Sequence, residues 1–211
     1  MILNIRLSII HRHVQRRYCV RMAVAIVDRR TQLLEVAAPL MAERGFHGVS
    51  IGELGAAAGV TGPALYRHFP NKQAILGALL TDISEQLLVG GQACVAESED
   101  SADALDRLVR WHVDFATGRP DLIRVQDRDF ASMSKGDQRT VRKLQRRYVE
   151  LWVEQVLATQ PGWDEESVRA RIHATFGLLN STPYSADRLS HGAAVDLLRR
   201  LALVVLTTTE Q

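Results

Sequence analysis

Cysteine is scarce in this sequence, which has only Cys19 and Cys94 among its 211 residues. Two cysteines cannot supply the disulfide framework of a small secreted protein, and such low use is typical of a reducing compartment. Long apolar runs are missing as well, since no stretch of about 18 apolar residues is available to span a bilayer. We therefore expect a globular cytoplasmic protein without a membrane segment.

Sequence motifs for catalysis, cofactors and metals are also missing. There is no P-loop, no HExxH and no dinucleotide-binding fingerprint. Gly48 to Gly52 have the G-x-S-x-G spacing of a hydrolase nucleophile, but that motif needs a strand before its serine, and a helical pattern precedes Ser50. His11 and His13 have the spacing of paired metal ligands, without cysteine or carboxylate companions nearby. We predict no enzyme activity, no cofactor and no metal site.

Acidic residues are absent from residues 1–27, which contain five arginines. Residues 28–72 contain five basic and four acidic residues, and residues 73–211 contain sixteen and twenty, so that the three parts together give the net charge of +2. Positive charge at the N-terminal end favours an anionic partner such as nucleic acid. Because residues 1–21 show no clean periodicity, we expect residues 1–27 to form a disordered basic arm or to include an over-extended start upstream of Met22.

Strand periodicity is absent, and apolar residues recur at helical spacing along the rest of the chain. A first helix is expected from Asp28 to a stop at Gly45, with a local kink at Pro39 or a shorter second half. Asn71 is expected to cap a long helix that begins at Lys72 and joins the two parts of the chain. The pattern predicts an all-α fold, with later helices near 101–117, 120–133, 137–159, 164–180 and 191–207.

A helix-turn-helix is predicted in the segment that follows the first helix. Ser50 and Glu53 have the spacing of a capping box, which begins a second helix, and Gly59 ends that helix. Thr61 follows at once as the N-cap of a third helix. Two short helices joined by a tight glycine-containing turn make a helix-turn-helix.

The third helix is short and rich in hydrogen-bond donors. In a recognition helix the N-terminal residues face base edges while flanking groups hold phosphates. Leu65 and Phe69, four residues apart, are expected to anchor this helix on the core. The side chains expected to hold phosphates are those of Thr61, Tyr66, His68 and Lys72. Close backbone approach and apolar contact with bases are expected from Gly62, Pro63 and Ala64.

Residues 29–76 contain the pattern A-x-x-G-V followed by LY-x-HF-x-x-K, and they resemble the N-terminal DNA-binding domain of TetR-family transcriptional regulators. The resemblance implies a helix-turn-helix domain over 28–72 and a ligand-binding and dimerisation domain over 73–211. Gly62 departs from the larger side chains of the family, which argues against direct base readout there. The resemblance implies phosphate contacts from Ser50, Thr61, Tyr66, His68 and Lys72, and base-proximal placement of Gly62, Pro63, Ala64 and Arg67.

Polar residues interrupt the apolar faces of two helices in the C-terminal part. Gln126 and Asp129 do so in the helix near 120–133, and His112 does so in the preceding helix. One interpretation is partial exposure or a satisfied polar network in the core. The other is a ligand cavity, in which a few polar groups orient a small molecule. The residues expected to form that cavity are Trp111, His112, Phe115, Gln126, Asp129, Phe130, Met133, Trp152 and Phe176.

The resemblance implies a ligand-responsive repressor that binds a palindromic operator in double-stranded DNA as a homodimer and is released by a small-molecule inducer. The wide apolar faces of residues 164–180 and 191–207, among them Leu198, are expected to form the dimer interface in a four-helix bundle. The 111–152 region resembles acyl-CoA-responsive members, and basic residues from Arg139 to Arg147 form either a solvated face or a phosphate site. The alternatives are a multidrug-type repressor, a helical carrier of small molecules, and an architectural DNA binder without operator specificity.

Overall fold

The structure, a computed structural model, describes residues 29–185 and 189–208, and every regular element in these ranges is helical. The all-α prediction is therefore confirmed for this part of the chain. The basic arm predicted for residues 1–27 and the pair His11 and His13 lie outside the described residues. The helices are α1 (Arg29–Gly48), α2 (Ile51–Ala57), α3 (Gly62–Tyr66), α4 (Lys72–Ala96), α5 (Ser101–Gly118), α6 (Pro120–Asp129), α7 (Lys135–Thr159), α8 (Glu165–Leu179), α9 (Thr182–Ser185) and α10 (His191–Thr207), with a 3-10 turn at Phe130–Ser132.

Most helix ends follow the local signals in the sequence. Ser50 and Glu53 form the predicted capping box at the start of α2, and the side chain of Asn71 accepts a hydrogen bond from the backbone of α4. The interruption of α1 lies at Gly45, with φ of 78°, whereas the backbone around Pro39 stays helical. Thr61 occupies the N-cap position of α3, but its side chain makes no capping hydrogen bond. The hydroxyl of Thr61 is therefore not used by the helix that it begins.

The turn between α2 and α3 depends on two glycines. Gly59 has φ of 64°, a left-handed conformation that glycine adopts without steric cost. Within α2, a Cβ atom on Gly55 would lie 3.1 Å from the carbonyl oxygen of Val60, so glycine allows the turn to pack closely against the helix. The N–H of Val60 donates to the carbonyl of Gly55 at 2.8 Å. These contacts determine the orientation of α3 relative to α2.

Two hydrophobic clusters form the core, and helix α4 contributes to both. The first cluster contains residues of α1 to α3, the first half of α4, and also Leu122 and Val125 from α6. The second contains Leu88 from α4 together with residues of α5, α7, α8 and α10. The first cluster therefore crosses the boundary between residues 72 and 73 that the sequence predicts. The division into domains at that position stays a prediction.

Helix α4 also meets the length and hydropathy of a membrane span, contrary to the sequence analysis. Asp82 and Glu85 interrupt its apolar run, yet its mean hydropathy reaches 1.3 over 18 residues. Half of this window is buried inside the protein, where α4 packs in both clusters. Within the described ranges no other helix meets the same criteria. The apolar character of α4 is that expected of a central core helix.

The apolar residues of α8 and α10 are divided between the core and the surface. Ile172, Leu179 and Leu198 are buried in the second cluster, so these members of the predicted interface serve the core of the protomer itself. Sequence spacing alone did not distinguish the two faces of α10. The large apolar side chains of α10 that remain exposed are Leu197, Leu201 and Val204, at 38%, 41% and 56%.

Candidate DNA-binding surface and ligand cavity

Helix α3 lies on the surface, and two buried apolar side chains anchor it to the core. Leu65 and Phe69 are fully buried, as the sequence predicts, and the guanidinium of Arg30 lies 5.0 Å from the centre of the Phe69 ring. The side chain of Tyr66 is 52% exposed. Ala64 is half-buried, while Thr61, Pro63, Arg67 and His68 are exposed. The helix thus presents a set of polar side chains to solvent.

Ser50 and Lys72, both predicted to contact phosphates, also have partners inside the protein. The Ser50 hydroxyl donates to Glu53 Oε2 at 2.7 Å and accepts from the Glu53 N–H at 3.2 Å. The ammonium of Lys72 donates to the carbonyl of Val49 at 2.7 Å and lies 4.5 Å from the centre of the Phe46 ring. Because an ammonium has three N–H groups, this contact leaves donors for a phosphate. Both residues therefore also stabilise the connection between α1 and α2.

The acidic side chain nearest this surface is balanced by an arginine. Arg44 Nη1 lies 2.7 Å from Glu53 Oε1, and Arg44 Nη2 donates to the carbonyl of Gly48 at 2.7 Å. Hydrogen bonds from Ser50 and then Arg44 lower the pKa of Glu53 to about 2. Glu53 is therefore ionised at neutral pH, and Arg44 offsets its negative charge at the start of α2.

A cavity of about 230 Å³ lies among helices α4 to α8. Its apolar wall is formed by Ile83, Leu87, Phe115, Leu122, Ile123, Val149 and Phe176. Its polar lining consists of Ser84, His112, Gln126, Asp127, Gln145, Tyr148, His173 and Asn180. An apolar cavity with a few polar groups is the usual construction of a small-molecule site.

Four of the predicted cavity residues line this space, namely His112, Phe115, Gln126 and Phe176. The other five lie outside the lining of this cavity. Regular helical spacing identifies the residues that face inward, but not which of them the core itself surrounds. The residues outside the cavity lining are Trp111, Asp129, Phe130, Met133 and Trp152.

Each of these five has another environment. The Trp111 indole donates to the carbonyl of Leu87 at 3.1 Å. Met133 is buried in the first cluster, and Trp152 is fully buried in the second. The ring of Phe130 lies beneath the guanidinium of Arg142, at 5.1 Å. Asp129 is buried and accepts a hydrogen bond from the N–H of Phe46 at 3.1 Å, outside the cavity.

His112 joins two polar residues that the sequence analysis missed. Its Nδ1 lies 3.3 Å from the Tyr148 hydroxyl, and its Nε2 lies 3.2 Å from Asn180 Oδ1. Burial lowers the pKa of His112 to about 4, opposed in part by the hydrogen bond to Asn180. Burial also raises the pKa of Tyr148. Both side chains are therefore uncharged at neutral pH.

The sequence carries a weak signal for Tyr148 and none for Asn180. Gln145, Tyr148 and Val149 share one face of α7 by helical spacing, so an inward position for Tyr148 could have been inferred. Asn180 lies just beyond the end of α8, 68 residues from His112. Only the packing of α5 against α8 brings these two side chains together.

Helix α6 connects the cavity with the end of α1. Gln126 and Asp127 line the cavity, and the next two residues contact the interrupted end of α1. Arg128 donates to the carbonyl groups of Met41 and Ala42 and pairs with Asp129 at 3.1 Å. These carbonyls belong to the last turn before Gly45, where helix hydrogen bonds run out. Arg128 therefore satisfies backbone acceptors that the interruption at Gly45 exposes.

Comparison with known proteins identifies relatives of both parts of the chain. Residues 33–79 match the family model described as bacterial regulatory proteins, tetR family. The HTH-type transcriptional repressor KstR2 of Rhodococcus jostii (strain RHA1) is 27% identical over 163 residues, which are 76% of this chain and 78% of KstR2.

Solved structures show the same fold. The structure of the ketosteroid transcriptional regulator KstR2 of Mycobacterium tuberculosis has a TM-score of 0.73 at 20% identity, covering 90% of this chain and 100% of that one. A structure of AibR in complex with isovaleryl coenzyme A and operator DNA has a TM-score of 0.69 at 20% identity, covering 82% of this chain and 97% of AibR. The N-terminal helix-turn-helix of this chain is therefore a DNA-binding domain of the tetR family of bacterial regulatory proteins, and the chain has the all-helical fold of TetR-family transcriptional regulators.

Proposed function

We propose that this protein is a repressor that binds a palindromic operator as a homodimer and leaves it when a small molecule occupies the cavity. The observation that carries this proposal is the position of α6. Gln126 and Asp127 of this helix line the cavity, while Arg128 and Asp129 hold the end of α1. A regulator of this kind acts in the cytoplasm and needs no catalytic group.

The DNA contacts proposed for α2 to α4 follow from exposure and chemistry. Exposed Thr61, Tyr66 and His68 offer hydroxyl and ring donors, and Ser50 and Lys72 lie at the starts of α2 and α4. Such groups hold backbone phosphates and position a recognition helix without reading sequence. The residues proposed to approach the bases are Gly62, Pro63, Ala64 and Arg67.

A homodimer is proposed through α8 and α10. Leu197, Leu201 and Val204 form an exposed apolar face on α10, spaced four and three residues apart. On α8 the exposed residues Ala170, Ala174 and Gly177 have similar spacing and small side chains, which permit close approach of a second helix. A two-fold dimer presents two copies of α3, and its symmetry requires a palindromic operator.

Release from the operator requires a ligand that prefers the conformation unable to bind DNA. A ligand with equal affinity for both conformations would not shift the equilibrium between them. A tenfold loss of operator affinity requires about 1.4 kcal/mol of differential binding free energy. Helix α6 is the proposed connection, because a displacement at Gln126 moves the hydrogen bond between Asp129 and Phe46 with it.

We favour an acyl-CoA thioester as the inducer. The AibR structure contains isovaleryl coenzyme A, and α7 carries exposed arginines close in sequence to a residue of the cavity lining. Arg142 and Arg146 are exposed and lie within one turn of Gln145, which lines the cavity. Guanidinium groups bind phosphates through paired hydrogen bonds. The multidrug-type alternative is favoured instead by Asp127, since a carboxyl group in the lining suits a cationic drug.

Binding assays in two stages test the proposal. The protein is first titrated with duplexes from the region beside its own gene and with random duplex, at one salt concentration. Preference for one palindromic duplex supports a repressor, and equal affinity for all supports an architectural DNA binder. The bound duplex is then titrated with short, branched and long acyl-CoA esters, with free CoA and free acids as controls. Release by a cationic drug but by no thioester would overturn the acyl-CoA proposal.

A further inference from the structure

We propose that His112, Tyr148 and Asn180, hereafter the polar triad, bind an uncharged hydrogen-bonding group on a small ligand and discriminate against a carboxylate. A carbonyl, amide or hydroxyl group on a compact aliphatic body has the required chemistry. The inference deepens the proposed function, because it states what the cavity of that repressor recognises. It concerns binding itself, which can be measured without DNA.

The charges around the cavity support an uncharged ligand group. Among the described residues that line it there is no lysine or arginine, and its carboxyl group is that of Asp127. Burial raises the pKa of Asp127, and the buried His112 is neutral at pH 7 because its pKa is lowered to about 4. A ligand carboxylate would lose part of its hydration without a lysine or arginine in the described lining, where the exposed His173 is the remaining basic side chain, and it would lie near Asp127. Burying an unpaired charge in this way is strongly unfavourable.

The hydrogen bonds of the triad leave capacity for one more partner. When His112 Nε2 carries the proton and donates to Asn180 Oδ1, its Nδ1 accepts from the Tyr148 hydroxyl. The Tyr148 oxygen then remains an acceptor for a ligand hydroxyl or amide N–H. When the Asn180 amide is turned and His112 carries its proton on Nδ1, the Tyr148 O–H becomes free to donate to a carbonyl. The triad therefore accommodates either kind of neutral group.

Aromatic packing holds the triad in place. The His112 ring stacks on Phe176 at 4.8 Å between centroids, and Tyr148 stacks on the same ring at 5.8 Å. Tyr148 also packs against α4, where a Cβ on Gly91 would lie only 2.7 Å from the Tyr148 ring. The position of the Tyr148 hydroxyl thus depends on the space that Gly91 leaves for the Tyr148 ring and on stacking with Phe176.

The volume of the cavity limits the size of the group inside it. The cavity has a volume of about 230 Å³. A branched or short chain with one polar group fits this space. Larger cavities, from about 300 Å³, are usual for drug-sized ligands. Anything longer has to extend beyond the cavity.

Calorimetric titration of the full chain with three compounds of matched shape tests the inference. These are 3-methylbutanamide, 3-methylbutanol and 3-methylbutanoate at neutral pH, followed by amides of increasing chain length. We expect the amide and the alcohol to bind at least tenfold more tightly than the carboxylate, with affinity falling once the chain outgrows the cavity. Equal or tighter binding of the carboxylate, or no binding by any of the three at millimolar concentration, would overturn the inference.

Two variants test the residues. Tyr148→Phe removes only the hydroxyl and should weaken amide binding about three- to tenfold, the contribution of one neutral hydrogen bond. Asp127→Asn should reduce the difference in binding affinity between the amide and the carboxylate ligand. The matched control is Tyr184→Phe, because Tyr184 is 69% exposed and lies outside the cavity lining. Unchanged amide affinity in a folded Tyr148→Phe protein would contradict the role of the triad. Binding of the amide without any effect on operator binding would leave the inference intact and overturn the proposed function.

Discussion

Asp129 Oδ2 accepts a hydrogen bond from the backbone N–H of Phe46, 83 residues earlier in the chain, at 3.1 Å. The carboxylate is buried and also pairs with Arg128, whose guanidinium reaches the carbonyl groups of Met41 and Ala42. This small network ties the last turn of α6 to the end of α1. The DNA-binding domain and the cavity therefore share a polar connection as well as a hydrophobic core.

We expect Asp129→Asn to weaken this connection. The amide retains the shape of the carboxylate but loses the charge that strengthens its hydrogen bonds with Phe46 and Arg128. Unfolding in urea should show a loss of about 1.5–3 kcal/mol in stability, the range for hydrogen bonds to charged groups. The response of operator affinity to ligand should fall as well. Asp127→Asn, two residues away, is the control for stability only, because Asp127 lines the cavity, and equal stability losses in the two variants would argue against a special role for Asp129.

His112 should make stability fall as the solution becomes acidic. Its pKa is about 4 in the folded protein and about 6.5 in the unfolded chain, so the unfolded state binds more protons between these values. The contribution of neutral His112 to the free energy of unfolding is therefore fully present above pH 6.5. It decreases by about 3 kcal/mol as the pH drops to 4. Unfolding free energies measured at intervals of pH test this for the native protein and His112→Gln.

The difference between the two curves isolates His112 from the other ionisable groups. The lowered pKa of Glu53, about 2, affects stability only below its unfolded value of 4.5. Groups that both proteins share, among them Asp127 with its raised pKa, cancel in the difference between the two curves, so the window from pH 4.5 to 6.5 reports on the histidine. A native curve that runs parallel to that of His112→Gln across this window would show that His112 is not a buried neutral group.

Lys72→Ala should weaken binding to every DNA sequence alike. A phosphate contact carries no sequence information, so its loss should lower the slope of log K against log salt by about one unit. Because the ammonium also donates to Val49, a stability loss of about 1 kcal/mol should accompany the change. Lys143→Ala, an exposed lysine on α7, serves as the control in fluorescence anisotropy titrations. A loss restricted to one sequence, with an unchanged slope, would reject the phosphate assignment.

The two faces of α10 should respond differently to a buried charge. Leu201 is 41% exposed on the proposed interface, whereas Leu198 is 7% exposed in the second cluster. We expect Leu201→Arg to yield a folded monomer by light scattering and circular dichroism. Leu198→Arg should instead unfold the protomer, because it places an unpaired charge in the core. A stable dimer of Leu201→Arg would locate the interface elsewhere.

Several features of this protein follow from short stretches of sequence. The capping box of Ser50 and Glu53, the Asn71 cap and the left-handed Gly59 involve residues at most three positions apart, or one residue alone. Such features depend on backbone hydrogen bonds and allowed dihedral angles, which neighbouring residues determine directly. The helix-turn-helix and its family were therefore predictable from residues 29–76.

The cavity and the connection to α1 were decided by tertiary structure. His112 meets Asn180 over 68 positions, and Asp129 meets Phe46 over 83. Helical spacing predicted that His112 and Asp129 both face inward, yet only one of them lines the cavity. Likewise, Leu198 and Leu201 share an apolar sequence pattern, but only Leu198 is buried within the protomer. Periodicity determines which side of a helix is apolar, whereas the packing of distant helices determines what that side meets.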